Sequence, residues 1–359
     1  MSTGTVSPRV ETAPTRLGRL GDAAGSVVLF GAIGLFVIWS ALTHPSQFVA
    51  GLVVGSVLAL GALGLTLIYG VLKFAHFAHG DSMMLAAYLA FFALSGNLVG
   101  TRGTDVRLPW SFADLPGATE RIWRFSFGYG LLLSIVVAAA LSAVILILVD
   151  RWVYRPLRQR RAGLAIFAIV SLGVAIAMRS LVLMIWGPTP RFYVSGIRPT
   201  LQIPGGPRIP TDQLFIVAAA IVLAAVVYFL LYRTTTGRAM RAMADNPDLA
   251  RVSGIDTEAV VRTTWLVSGG LIAVAGVLLA LQSQLKPELG FILLLPVFAA
   301  AILGGIGSPH GALVGGLVVG VVQEVAVAVG PLSPGYKFSI AFVILILVIL
   351  ARPRGLFGA

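Results

Sequence analysis

Apolar runs of about 17 to 25 residues recur from one end of this chain to the other, the length that crosses ~30 Å of hydrocarbon as a helix. Lipid offers no partner to a backbone N–H or C=O, so such runs must satisfy themselves as helices. A membrane barrel would show alternating segments of ~10 residues, and none are visible. Only 11% of the 359 residues are charged and 58% are hydrophobic, whereas a soluble domain carries about 25% charge. Ten runs are expected, starting near Ser26, Phe48, Gly80, Gly128, Gly163, Gln213, Val261, Phe291, Gly311 and Phe338. Asp81 and Ser82 interrupt the third at its start, and Gly304 to Gly311, with Pro309 inside, is all that separates the eighth from the ninth. The expectation is an all-α polytopic membrane protein of about ten transmembrane helices, some short or broken. Residues 1–25 read as an N-terminal tail, 26–351 as the transmembrane domain and 352–359 as a C-terminal tail.

A net charge of +12 raises nucleic acid as a partner, but the basic residues sit in the segments between apolar runs, which is the pattern of a membrane protein. Starting inside, the inner segments (with Arg262 at their edge) hold 16 Lys and Arg against 9 outside, with Arg179 inside a run. The densest inner clusters are Arg151, Arg155, Arg158, Arg160 and Arg161, then Arg233, Arg238, Arg241 and Arg251. Both termini are therefore expected in the cytoplasm. Arg9, Arg16 and Arg19 before the first run resemble a signal peptide, yet no small-residue cleavage site follows, so the run reads as a retained span. Two outer segments, 101–127 and 187–212, exceed what a hairpin needs, and Trp110, Trp123 and Trp186 suit aromatic anchors at the outer interface. The chain has no cysteine, which excludes disulfides and thiolate metal sites.

The segment 233–260, between spans six and seven, is too long for a turn. Good helix formers occupy 237–244, and Asn246 suits an N-cap with Pro247 in the first helical position and Asp248 in the first turn. Gly254 suits the C-terminal stop. A small helical knob is expected, which on these grounds alone could equally be an amphipathic surface helix.

Here the chain resembles the permeases of branched-chain amino acid ABC importers, a family of type II importer fold. The likeness runs from about Gly51 to Phe357. It is carried by Phe77-Ala78-His79-Gly80 with a Met-rich stretch and Ala87-Tyr88 after it, by Gly237-Arg238-Ala239 through Asp248–Ile255, and by Ala300 through Ser308 with His310-Gly311-Ala312. Pro353 to Phe357 also fits. Each block is weak alone; three in order at the right spacing are specific. His76 stands where the family commonly has Asn, Arg179 where it commonly has an uncharged polar residue, and shorter members lack the leading span.

The resemblance implies a transport subunit with no ATPase site and no bound cofactor. The chain has no P-loop match. A separate cytoplasmic ABC ATPase would hydrolyse ATP and receive Asp248, Leu249, Ala250, Arg251, Val252, Ser253 and Gly254 as a coupling knob. A second permease, identical or sister, would complete the path, and an extracytoplasmic solute-binding protein would deliver substrate at the bacterial inner membrane. Residues expected at the path or gate are His79, Gly80, Asp81, Arg179, Gly304, Gly305 and Glu324. Asp81, placed at the inner edge of span three, reads either as a dipole-complementing first-turn acid or as a gate contact. Arg179 and Glu324 have similar depths along their spans, so they either pair or Arg179 reaches the outer surface alone. Gly51/Gly55, Gly311/Gly315 and Gly316/Gly320 suit close helix approach, within one subunit or at a dimer seam. The repeat of Gly-Leu-Val-Val-Gly at 51–55 and 316–320 reads as coincidence. A secondary carrier using Glu324 for protons would leave the knob without a task, and no motif of an intramembrane enzyme is present. Related permeases carry urea, amides and aromatic acids, so the cargo stays open.

Overall fold

The computed structural model describes residues 31–99, 105–194, 196, 198–202, 207–330, 333–352 and 355–357; the N-terminal tail, the start of the first run, and Pro353 and Arg354 lie outside the described residues. The chain divides into two units, Met1–Thr43 and His44–Ala359. The first contains helix α1 (Gly31–Thr43). The second contains α2 (Pro45–Leu72), α3 (His79–Ser95), α4 (Tyr129–Val149), α5 (Arg155–Gln159), α6 (Leu164–Trp186), α7 (Thr211–Arg233), α8 (Thr235–Asp245), α9 (Pro247–Val252), α10 (Thr257–Gln282), α11 (Leu289–Gly304), α12 (Pro309–Val329) and α13 (Lys337–Ala351). A π-helical turn, Asp150–Tyr154, joins α4 to α5. Every expected start from Phe48 onward is matched by a helix beginning within four residues of it. Among the described residues six helices are long and apolar enough to cross a membrane: α2, α4 with its extension to Gln159, α6, α7, α10 and α12. Helices α1, α11 and α13 are apolar but shorter.

Two antiparallel ribbons, β1 (Asn97–Val99) with β2 (Asp105–Arg107) and β3 (Thr200–Gln202) with β4 (Arg208–Pro210), lie in the connections after α3 and before α7. Three-residue strands are too short to show a period of two, so their pairing was not foreseen. It satisfies loop backbone that would otherwise lack partners. Trp186 corrects the expectation of an interfacial anchor. It is 3% exposed, and its indole N–H donates to the Asn97 carbonyl at 3.1 Å, because β1 folds back over the end of α6. Trp110 and Trp123 are exposed.

The inner helices are α2 and α10, buried over 72% of their most apolar stretch; α6 and α7 are buried over 28% and 22%. The tightest helix pair is α2 with α12, and the repeated pentapeptides make it. A Cβ on Gly55 would meet Leu317 Cα at 2.9 Å, and Gly51, Gly316 and Gly320 leave as little room. The glycine repeat is thus an antiparallel crossing inside one chain, where missing side chains let two backbones touch.

The chain folds back on itself at two places. After α2 the non-helical segment 73–78 returns to start α3 beside the middle of α2: the His79 ring meets the Gly61 carbonyl at 2.8 Å. Gly61 lies eleven residues before the end of α2, about 16 Å at ~1.5 Å per residue. After α10, α11 likewise starts at this level, with Gly290 against Gly80. From this shared origin α3 runs alongside α10, from Met83 at Gly276 to Ala90 beside Leu281. Helix α11 runs along α2, with Val297 at Gly61. The two helices therefore leave their touching N-termini in opposite directions.

Candidate functional site

Asp81 lies in the first turn of α3, in the interior of the bundle and not at the inner edge expected from its place in the sequence. The expectation failed because segment 73–78 climbs back along α2 before the helix begins. Ser171 of α6 holds that segment: its hydroxyl accepts from the Phe77 N–H at 3.1 Å. Non-helical backbone at this depth is tolerated because protein surrounds it.

The Asp81 carboxylate, 1% exposed, accepts from Arg179 Nε at 2.9 Å and from Nη2 at 2.8 and 3.0 Å. The guanidinium also lies 4.9 Å from the centre of the Phe291 ring, in the first turn of α11. The pair thus joins α6, α3 and α11 where two helix N-termini meet. A carboxylate there complements both positive ends, and the arginine fork neutralises it where a lone charge is costly. Arg179 remains 26% exposed.

Arg179 and Glu324 do not pair with each other. Glu324 accepts two bonds of 2.7 Å from Lys337 Nζ at the start of α13. Similar distance along a helix did not mean proximity, because α6 packs on α3 while α12 packs on α2 and α13. The Glu324 carboxylate is ion-paired.

His79 Nε2 meets the Gly61 carbonyl, and His76 packs edge-on against Trp265 at 5.2 Å with Nδ1 3.3 Å from the Tyr154 hydroxyl. Gly80 belongs to the α3–α11 contact, where a Cβ would strike the Gly290 carbonyl. Gly304 abuts Gly311, and the C-terminal turn caps α11: Leu356 N–H donates to the Leu303 carbonyl at 2.7 Å and Phe357 N–H to Gly304 at 3.0 Å. Gly305 takes φ 103°, a conformation open to glycine.

The knob takes the local form its residues predict. Thr234 caps α8, its hydroxyl accepting from Gly237 N–H at 3.0 Å. Asn246 caps α9 through Asp248 and Leu249 N–H at 3.1 and 3.0 Å. Gly254, at φ 84°, ends it. Helix α8 packs back on α2, α7 and α10, whereas α9 buries only Ala250 and leaves Leu249 62% and Val252 85% exposed. Sequence reasoning missed Phe291 and Gly290; the signal was a second short helix after a long one.

Comparison with known proteins adds the family. Residues 47–349 match the family described as the branched-chain amino acid transport system permease component. The high-affinity branched-chain amino acid permease BraD of Pseudomonas aeruginosa is 31% identical over 324 residues, 87% of this chain and 95% of its own. The corresponding permease LivH of Escherichia coli strain K12 is 31% identical over 296 residues, 81% of this chain and 87% of its own. A xylose transport permease, XylH of Haemophilus influenzae, matches at 31% over 112 residues, 29% of this chain and 30% of its own. No solved structure matches.

Proposed function

This chain belongs to the branched-chain amino acid ABC transporter permease family, and from that premise we propose that it is the membrane subunit of an importer driven by a separate cytoplasmic ATPase. Its cargo in this reading is a branched-chain amino acid, as the names of its full-length relatives state of those proteins. The observation that carries the reading is the capped pair α8–α9, which presents Leu249 and Val252 to solvent. Exposed apolar side chains on a rigid knob suit insertion into a partner's groove. Closure of the ATPase pair on ATP would push the knob, and the bundle would rock between outward-open and inward-open states. The excess of basic residues in the inner segments supports both termini being cytoplasmic. A second permease would cover the exposed helix faces, and an extracytoplasmic binding protein would deliver cargo.

The test is purification from native membranes in gentle detergent, with mass spectrometry of the partners. Recovery of a P-loop ATPase, lost on Leu249→Asp or Val252→Asp, is the expected result. A chain that purifies alone and moves solute in vesicles without ATP would end the reading.

A further inference from the structure

Behind α8 lies a cavity of about 450 Å³, walled by the C-terminal ends of α2 and α7, by α8, and by Gly307 and Pro309. Pockets of about 300–1,000 Å³ hold small molecules. Its lining is chemically divided. One face of α8 contributes Arg238, Arg241 and Asp245, spaced three and four residues apart so that they share that face. Helices α2 and α7 contribute apolar Leu67, Val71 and Leu231 beside Thr66 and Tyr232.

Two features show that its polar groups are not consumed by the fold. Among the described residues neither arginine has a carboxylate partner; Arg241 lies over the Tyr232 ring at 4.8 Å, and that ring stacks on His310 at 5.2 Å. Thr66, 2% exposed, also lines the cavity, and its hydroxyl has no hydrogen-bond partner.

We propose that this cavity is a binding site for a free zwitterionic apolar amino acid, reached from the side on which α8 lies. The guanidinium groups of Arg238 and Arg241 take the α-carboxylate, Asp245 takes the α-ammonium, and Leu67, Val71 and Leu231 receive the side chain. The choice of amino acid rests on the importer reading, under which cargo accumulates on that side. An occupant would tie α8 to α2 and α7, the helices the knob must move.

The test measures radiolabelled L-leucine binding to the whole transporter in lipid nanodiscs, without the solute-binding protein. Leucinamide lacks the carboxylate and isocaproate lacks the ammonium; each should compete about tenfold more weakly than leucine, the loss of one charged hydrogen bond. A Cβ on Gly70, which lines the cavity, meets nothing within 4 Å. Gly70→Leu should therefore project a side chain into the space and abolish binding, and Arg241→Gln should weaken it about tenfold. Leucine binding that survives Gly70→Leu overturns the site, as does inorganic phosphate or an anionic lipid competing as well as leucine. ATP-driven transport is read in parallel. Transport without leucine binding ends this inference alone, whereas leucine binding lost on Gly70→Leu upholds the cavity even if no ATP-driven transport is found and the importer reading falls.

Discussion

The re-entrant pair α2–α3 and its counterpart α10–α11 share a backbone plan and differ in charge. Each has a long helix of 28 or 26 residues, a six-residue return and a short helix of 17 or 16 residues. Each short helix begins against the other through a glycine, Gly80 facing Gly290. Yet α3 carries Asp81 in its first turn, clasped by Arg179, whereas α11 offers only the Phe291 ring to the same guanidinium. Glycines make the plan possible by letting backbones touch. The first-turn charge is added to one half, the half whose short helix also buries His79 and Ser82. Chemistry at this level is therefore expected from the α3–α6 side.

The largest effect should come from removing that charge unequally. Arg179→Ala leaves a buried carboxylate with no counter-charge, at a cost of about 3–5 kcal/mol. Adding Asp81→Ala to it should restore much of the loss, read as the unfolding temperature in detergent. A double variant no more stable than Arg179→Ala alone would show that the charge of Asp81 is not what separates α3 from α11. Next come the shared glycines. Gly80→Leu and Gly290→Leu should destabilise to a similar degree, about 1–3 kcal/mol or more, because each inserts bulk into the same contact. Strongly unequal losses would show that the halves differ in packing as well as in charge. A smaller change follows from deleting residues 355–359, which uncaps the Leu303 and Gly304 carbonyls of α11 and leaves α3 untouched. About 1–3 kcal/mol is expected, with faster hydrogen exchange confined to the end of α11.

What the residues made legible was local. Hydropathy placed the helix starts, and Asn246, Pro247 and Gly254 announced α9 and both its ends, since caps depend on neighbours in the chain. The repeated pentapeptide was visible but dismissed; its meaning lay in the contact between its two copies, which no single stretch displays. Depth was illegible. Asp81 was assigned to the membrane edge because a run was assumed to cross from edge to edge, while segment 73–78 carries the chain back to Gly61 first. Trp186 was misread for a related reason: an aromatic at a helix end looks interfacial until β1 covers it. Arg179 was noticed as a lone intramembrane charge, but its partner was decided by which helices touch.

The smallest expected effect is a null one, and it tests that last point directly. Arg179 and Glu324 belong to separate ion pairs, one with Asp81 and one with Lys337. Arg179→Ala and Glu324→Ala should then be additive within about 0.3–0.5 kcal/mol, the limit for sites with no shared partner. Coupling should appear instead between Glu324 and Lys337, where each variant strips the other of its partner. That pair is partly exposed, at 14% and 30%, so its coupling should fall below that of Asp81 with Arg179, whose carboxylate is fully enclosed. If Arg179 and Glu324 proved strongly coupled, the two halves would have to exchange charge partners in another state of the transporter, and the asymmetry between α3 and α11 would belong to one state alone.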